Sequence, residues 1–378
     1  MKKTLLATAC VCGLLLAALP VAAQTASRHS AGEGVAVPGA GIGGLLAEQD
    51  KAQDKKRSPW LLLPLVASSP KMGTSFGALG AYLRVFDPQS QVSMFGAIFE
   101  YTSTDSMVGG LFARTSFGAD HHRIEGLVGF GYIKNEYEDY LGTGKPFETT
   151  DDLRMVAGRY LYRVKGNWFI GAQSVFANYQ ISGVTELDDK ILDVLGITGV
   201  QSGGIGAAVM FDSRDNQDMP TRGWYAALNN VANRDWLGAG DNYDAYRLDI
   251  KWFLLHGNGH VLAMRQNNQF THDAPTAALT SIQLRGYKMG QYLGVNMSSF
   301  EVEERIRLMG RLGATVFAGV GCLYGEQKSC SDSDNVYPSY GAGVHFIVKP
   351  EEHMLLNLEY AHGSLNNYGI YLTLGYSW

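Results

Sequence analysis

The chain has 378 residues, 46% of them hydrophobic and 18% charged, and its 46 glycines and 20 tyrosines favour a β-rich fold with many turns. The formal net charge is −5. This acidic balance argues against a nucleic-acid partner.

The first residues are typical of a secretory signal peptide. Lys2 and Lys3 precede an apolar run from Leu5 to Ala23, which ends in small residues before Gln24. We therefore predict a signal peptide over residues 1–23, with an uncleaved membrane anchor as the alternative. Beyond it, no apolar run reaches the ~18 residues that a spanning helix needs. The exported protein is then either soluble or a membrane β-barrel.

Residues 24–59 are predicted to form a flexible periplasmic tail, small and polar at first and then charged. The run Gly39–Gly44 formally matches a dinucleotide-binding pattern. No strand precedes it and no strand–helix–strand unit surrounds it, so a flexible glycine linker is the better interpretation.

Residues 60–378 divide into segments of about ten residues with alternating polarity, a pattern that predicts a membrane barrel with lipid outside and a wet lumen inside. In Asp244–Leu254 the two faces separate cleanly. One face carries Tyr246, Leu248, Ile250, Trp252 and Leu254, and the other carries Arg247, Asp249 and Lys251. Glu304 is a misfit on an apolar face and is placed near a membrane boundary. Trp168, Trp252 and Trp378 suit interfacial girdles.

We count about sixteen antiparallel strands. They are predicted to begin near Trp60, Ser75, Gln91, Ser106, His122, Leu153, Trp168, Gly199, Gly223, Tyr243, His260, Ser299, Arg311, Tyr337, His353 and Tyr368. With the N-terminus in the periplasm, the long connections face outward. These are Asn135–Asp151, Ser182–Thr198, Thr271–Ser298 and Leu323–Val336. The inward turns are mostly tight.

Five short motifs follow one another in these strands and loops. Leu284-Arg285-Gly286-Tyr287 lies in the sixth outward loop. The other four are Asp212, Arg214 and Asp215 followed by Pro220 and Gly223 after the eighth strand; Glu303 and Arg305 on the twelfth; Phe317, Gly319 and Gly321 on the thirteenth; and Gly375, Tyr376 and Trp378 at the end.

In order and spacing these motifs resemble the BamA/TamA superfamily of outer-membrane insertases and translocases, whose barrel is called the bacterial surface antigen domain. The resemblance implies a sixteen-stranded barrel whose long sixth loop folds into the lumen, a location in the bacterial outer membrane, and unfolded outer-membrane or secreted proteins as clients. It also implies an assembly signal in the last strand. Gly319 stands where the family usually has aspartate.

The chain looks like a short member of that superfamily. BamA-like and TamA-like proteins carry periplasmic POTRA domains, and residues 24–59 are too few and too polar to hold one. We therefore expect a homo-oligomer or a partner protein to replace this arm. Outer-membrane lipid is the other expected partner.

Two hypotheses concern the lumen. Arg285 is expected to reach in and pair with Glu303, with Tyr287 packed near Phe317, whereas the alternative is an external loop with a solvated arginine. Pro64 lies inside the first strand, where proline cannot donate to a ladder. This predicts a weak seam against the last strand, which the family uses as a lateral gate, unless Pro64 marks a bulge of no consequence.

Cys322 and Cys330 lie eight positions apart in a polar loop. In an exported protein they are expected to form a loop-closing disulfide, with two free thiols as the alternative.

Two other functions remain open. A sixteen-stranded barrel is wide enough for a passive pore, although a plugging loop would narrow it. A lipase-like barrel enzyme is the second. Gly73–Gly77 formally matches a nucleophile elbow, but that motif needs a strand-to-helix turn, and His121, His122 and the His362–Ser364 run offer bases without an assembled triad. We predict no enzyme activity, no cofactor and no metal site.

Overall fold

The computed structural model describes residues 59–69, 73–91, 93–137, 145–195, 198–215, 219–288, 290–326, 328–349, 354–364, 367–374, 376 and 378. The predicted signal peptide and all of the predicted tail except Pro59 lie outside them, as does Gly375. None of the helices among the described residues is long and apolar enough to cross a membrane.

Sixteen strands form one antiparallel sheet in which sequence neighbours pair. They are β1 (Trp60–Ser69), β2 (Gly73–Arg84), β3 (Ser93–Thr102), β4 (Met107–Phe117), β5 (His122–Tyr137), β6 (Phe147–Lys165), β7 (Trp168–Gly183), β8 (Gly199–Asp212), β9 (Gly223–Asn233), β10 (Tyr243–His256), β11 (His260–His272), β14 (Asn296–Met309), β15 (Leu312–Tyr324), β16 (Val336–Lys349), β17 (Met354–Gly363) and β18 (Tyr368–Leu374). Two short strands, β12 (Thr280–Ser281) and β13 (Leu293–Gly294), pair with each other inside the connection from β11 to β14. The predicted sixteen-stranded antiparallel sheet is confirmed.

Successive connections lie at opposite ends of the sheet. One end, here called the turn end, carries the connections after β2, β4, β6, β8, β10, β14 and β16, most of which are tight. The other, the loop end, carries the long connections after β5, β7, β11 and β15. Helix α1 (Glu186–Leu195) lies in the long connection between β7 and β8, and single 3₁₀ turns occur at Asp235–Leu237 and Ser333–Asn335. The sheet curls so that β1 and β18 come into contact. Within the described residues, however, β1 pairs only with β2, and β18 only with β17.

Alternation sorts the side chains as expected, with polar groups inward. Arg247, Asp249 and Lys251 on β10 are buried on the lumen side, while Tyr246 and Leu254 are exposed outside. On the outer face, Trp224 and Trp252 stack with ring centroids 5.1 Å apart. This is the arrangement of a barrel whose outer surface faces an apolar medium.

Glu304 is on the outer, apolar face near the turn end. Its carboxylate lies 2.9 Å from Nε2 of His256. The misfit charge therefore has a polar partner on the neighbouring hairpin.

Two predictions about strand ends are wrong. Strand β6 begins at Phe147 rather than near Leu153, because β5 and β6 continue their ladder up to the pair Tyr137–Phe147 through polar residues that carry no apolar alternation. Trp378 does not point outward. It is 6% exposed and packs against Phe253 with centroids 6.2 Å apart, inside the turn end of the barrel. Strand β18 extends to Leu374, and neither Tyr376 nor Trp378 lies in a strand, so the alternation of β18 does not set the direction of Trp378.

Candidate functional site in the barrel lumen

The connection from β11 to β14, residues 273–295, is here called the lumen loop. The ladder between β12 and β13 closes it into a narrow hairpin, with Thr280 opposite Gly294 and Ser281 opposite Leu293. From Ala277 to Gly294 its described residues are buried, apart from two that are half-buried. A loop standing in solvent with a hydrated arginine does not describe this chain.

Arg285, at the tip of the lumen loop, lies among three carboxylates. Its Nη1 donates to Glu303 at 2.7 Å and to Glu359 at 3.2 Å, and its Nε donates to Glu301 at 3.1 Å. The guanidinium also lies 3.4 Å from the ring centroid of Phe317, a cation–π contact. Arg285 is 2% exposed, so a single side chain from the loop is bound to the barrel wall in a site without bulk water.

Two of these three carboxylates were not among the predicted site residues. Glu301 shares the inward face of β14 with Glu303, two residues away, and simple alternation would have found it. Glu359 lies on β17, 74 residues along the chain from Arg285. It points inward with Asn357 and Ala361 on the same strand. Sequence could have placed it in the lumen, but only the curl of the sheet brings it to the arginine.

Gly286 holds the turn that aims Arg285. Its φ of 93° belongs to the left-handed region, and a Cβ there would lie 3.0 Å from the backbone nitrogen of Gly363. Its N–H donates to the Tyr371 hydroxyl at 2.9 Å, and the Ser339 hydroxyl donates to the Arg285 carbonyl at 2.5 Å. The backbone of the loop tip is thus bound to β16 and β18 directly.

Tyr287 lies against a different wall from the one expected. The prediction placed it near Phe317, but Phe317 contacts Arg285. The ring of Tyr287 instead meets Tyr337 at 5.8 Å in an edge-to-face arrangement and packs over Gly363. Its hydroxyl donates to the Pro338 carbonyl at 2.6 Å and accepts from the Ser364 N–H at 2.8 Å.

Gly319 and Gly321 make room for the loop. A Cβ on Gly321 would lie 3.0 Å from Leu284, and one on Gly319 would lie 2.7 Å from Cγ of Glu301, its register partner on β14. An aspartate at position 319 would therefore collide with the side chain of Glu301. In this chain the carboxylate on that side of Arg285 comes from β14 rather than from β15.

Arg305 continues the ionic network toward the turn end. Its Nε donates to Glu303 at 2.7 Å, and its Nη2 donates to the Trp378 main-chain oxygen at 2.7 Å. The guanidinium lies 3.9 Å from the ring centroid of Tyr376. The structure thus brings the predicted Arg305, Tyr376 and Trp378 together, and does so inside the barrel.

The predicted turn motif after β8 forms a second ionic network at the turn end. Asp212 accepts from Nε of Arg214 at 2.8 Å and from Arg123 at 3.4 Å. Asp215 accepts from the Thr221 N–H at 2.9 Å. Gly223 has φ 107°, and a Cβ there would lie 2.3 Å from the Ser213 carbonyl. The motif residues therefore shape and hold this turn.

Pro220, from the same turn, lies close to the lumen network. Its carbonyl oxygen is 3.5 Å from Nη1 of Arg305. Asp120, in the turn from β4 to β5, extends the turn-end network through hydrogen bonds from Arg123 and Arg163. Burial raises the pKa of the Asp120 carboxyl, but the hydrogen bonds and charges of Arg123, Ser116 and Arg163 outweigh this and hold the pKa below its ordinary value.

The connection between β15 and β16 clamps the lumen loop at the loop end. A disulfide joins Cys322 to Cys330. Within the closed loop, Nζ of Lys328 donates to the Leu293 carbonyl at 2.9 Å, and desolvation lowers the pKa of Lys328. Leu323 packs with Ile282, Leu284 and other loop side chains. The lumen loop is therefore held at its tip by the barrel wall and at its base by the connection between β15 and β16.

The residues of the alternative enzyme do not assemble. Ser75 lies within β2, paired with Thr102 on β3, rather than at a strand-to-helix turn. His121 and His122 are at the turn end, whereas Ser364 is at the loop end, where its N–H binds Tyr287. Among the described residues, no group of three or more histidine, cysteine, aspartate or glutamate side chains could hold a metal ion.

The fold is similar to those of solved outer-membrane barrels. BamA from Haemophilus ducreyi lacking POTRA domains 1–3 matches with a TM-score of 0.56 at 13% identity, over 85% of this chain and 69% of that chain. CdiB from Acinetobacter baumannii matches with a TM-score of 0.57 at 9% identity, over 84% and 59%. CdiB from Escherichia coli matches with a TM-score of 0.54 at 10% identity, over 85% and 63%. This chain therefore spans less than two thirds of either CdiB chain.

No family model matches the sequence, and no curated protein matches it. At these identities the likeness establishes the fold, which is that of an outer-membrane β-barrel of the BamA type.

Proposed function

From a barrel with the fold of BamA and CdiB and an arginine-tipped loop inside it, we propose that this protein inserts or translocates unfolded polypeptides at the bacterial outer membrane. The observation that carries the proposal is the seating of Arg285 on Glu303, Glu301 and Glu359. A loop held by buried charges blocks the lumen as a passive route. It also holds together the part of the wall from β14 to β18, which borders the seam. The N-terminus would lie in the periplasm, at the turn end.

The proposed route for the client is the seam between β1 and β18. These strands meet, but no ladder joins them within the described residues. Unpaired strand edges are templates for another strand. Pro64, in β1 opposite Ala78, removes one backbone donor from this strand. We propose that an incoming client strand pairs at this seam, and that a partner protein or a second copy delivers the client.

The test is reconstitution of the full chain in liposomes with an unfolded outer-membrane barrel as client. Client insertion is scored by the appearance of a protease-resistant, heat-modifiable form. We expect the wild type to accelerate insertion over empty liposomes, and a crosslink between cysteines placed in β1 and β18 to abolish the gain. The same pair of cysteines left reduced is the matched control. Equal client insertion with the wild type and with empty liposomes would overturn the proposal.

A passive pore is the alternative function, and side-chain packing at the loop end of the lumen argues against it. Ala277 and Ala278 of the lumen loop pack in an apolar cluster with Tyr179, Val231 and other inward side chains of β5–β10. An apolar contact of this kind excludes water at the loop end. Planar-bilayer recordings separate the two functions, because a pore would give a steady open conductance and the sealed barrel only brief, small events.

An enzyme remains testable in the same preparation. The protein is expected to leave phospholipid and ester substrates intact. Steady release of fatty acid that survives Ser75→Ala and Ser364→Ala controls would point to a contaminant, and release lost in either variant would support a hydrolase.

A further inference from the structure

One carboxylate joins two parts of the molecule that are distant in sequence. Glu303 accepts from Nη1 of Arg285 on one oxygen and from Nε of Arg305 on the other, both at 2.7 Å. It is fully buried, so neither contact can be replaced by bulk water. Any movement of the lumen loop that withdraws Arg285 therefore changes the charge that Arg305 faces.

Arg305, in turn, holds the end of the chain inside the barrel. Its Nη2 donates to the Trp378 main-chain oxygen at 2.7 Å, and its guanidinium covers Tyr376 at 3.9 Å from the ring centroid. Trp378 packs against Phe253, with Val261 and Ala263 in the same apolar cluster. These three residues belong to β10 and β11, far around the sheet from β18. Trp378 thus lies against β10 and β11 at the turn end of the lumen rather than beside β18.

We propose that Glu303 and Arg305 couple the lumen loop to Tyr376 and Trp378, so that seating of the loop keeps these two side chains turned inward and withdrawal of the loop releases them. Arg305 is a positioning residue in this scheme, since it touches no client. With Arg285 in place, Glu303 shares its charge between two guanidinium groups. Without Arg285 it binds Arg305 alone and more strongly, and pulls that guanidinium away from the Trp378 oxygen.

The coupling is reciprocal, as any linkage between two equilibria must be. Removing the inward anchor of Trp378 should loosen the lumen loop to the same degree that removing Arg285 loosens Trp378. The significance of the coupling rests on the proposed function, because Tyr376 and Trp378 follow β18, which borders the seam. The coupling itself is a property of the folded barrel and can be measured without any client.

The experiment follows Trp378 by ¹⁹F NMR of the full chain labelled with 5-fluorotryptophan in lipid nanodiscs. The protein has six tryptophans, and Trp378→Phe identifies the resonance of interest. In the wild type we expect one resonance from the packed indole. In Arg285→Gln we expect a second, narrow resonance from a released indole, its population raised on the order of tenfold, which is the effect of losing one charge-assisted hydrogen bond. Should Arg285→Gln fail to fold, Arg285→Lys tests the same link, because it keeps the charge but replaces the guanidinium fork by a single ammonium group.

Arg159→Gln is the matched control. Arg159 on β6 is another buried lumen arginine and binds Glu125 on β5 at 2.5 Å, on strands that carry no residue of the proposed coupling. It should destabilise the barrel without moving the Trp378 resonance. In the reverse direction, Phe253→Ala removes the ring against which Trp378 packs and leaves Arg305 in place, and it should increase protease cleavage within the lumen loop by a similar factor.

An unchanged Trp378 resonance in Arg285→Gln, or an equal change in Arg159→Gln, would overturn the coupling. Failure of the wild type to insert the client would overturn the proposed function and would not affect the ¹⁹F NMR measurement of Trp378. Normal insertion by Arg305→Gln with a released Trp378 would keep the coupling and remove its role in insertion.

Discussion

Replacing Arg285 by glutamine removes the positive charge that the tip of the lumen loop brings to Glu301, Glu303 and Glu359. With Arg305, the wild-type cluster holds two positive and three negative groups, a net charge of −1. In the Arg285→Gln variant the net charge of this cluster becomes −2, at a site that is at most 2% exposed. Removing one partner of a buried ion pair typically costs about 3–5 kcal/mol, because the remaining charge is left desolvated.

The same count predicts an asymmetry. Glu359→Gln leaves the cluster neutral and Arg285 still bound to two carboxylates, so its cost should stay near 1 kcal/mol, the value of a single net hydrogen bond. The double variant Arg285→Gln/Glu303→Gln should recover part of the free energy of unfolding that Arg285→Gln alone loses. Urea unfolding of the barrel in lipid vesicles, followed by tryptophan fluorescence, measures all four free energies. Limited proteolysis reports separately whether the lumen loop has left the lumen.

Two results would refute this reasoning. One is an Arg285→Gln barrel within about 1 kcal/mol of the wild type whose loop stays protected, which would place the arginine in the range of solvated surface pairs. The other is an equal loss in Glu359→Gln, which would mean that hydrogen-bond geometry rather than charge balance decides stability.

Three further predictions use other parts of the barrel. Gly363→Ala should cost ~1–3 kcal/mol by overpacking and loosen the lumen loop, since its Cβ would lie 2.6 Å from the Tyr287 ring, while Gly126→Ala, with its nearest contact at 3.9 Å, should be neutral in the same urea assay. Asp120→Asn should destabilise the barrel at pH 7, and because the pKa of Asp120 is lowered in the folded state, the difference should vanish as the pH falls below about 4 in thermal unfolding. Cys330→Ser should cost ~2–3 kcal/mol and speed proteolysis at the loop end, and a thiol reductant should do the same to the wild type but not to the variant.

Much of the architecture follows from local pattern. Alternation of apolar and polar residues assigns Arg247 and Tyr246 to opposite faces of β10, because successive side chains on a strand point to opposite sides whatever surrounds them. Glycine, asparagine and aspartate mark most turns, so the strand starts were predicted closely where the apolar pattern begins with the strand. At β6 it does not. The polar residues from Phe147 to Asp152 extend the ladder without an apolar face to signal it.

The lumen network was predicted in part for the same reason. The motif around Arg285 and the inward face of Glu303 are visible in the sequence, and a buried arginine needs a carboxylate. Which carboxylates it meets depends on how strands far apart in the chain curl together, and no local pattern gives the contact of Arg285 with Glu359. The contact expected between Tyr287 and Phe317 was wrong for the same reason, because Tyr287 meets Tyr337 and Phe317 lies against Arg285.

The sequence alone therefore determined which face of the sheet each strand residue occupies, because a hydrogen-bonded ladder fixes the direction of every side chain. Beyond the ladder, tertiary structure decided whether a side chain points outward or into the lumen. Trp378 follows the end of β18, and there the choice between the outer surface and the lumen depends on what each offers to an indole and a main-chain oxygen. Phe253 and Arg305 offer an apolar ring and a buried donor, and both come from other strands.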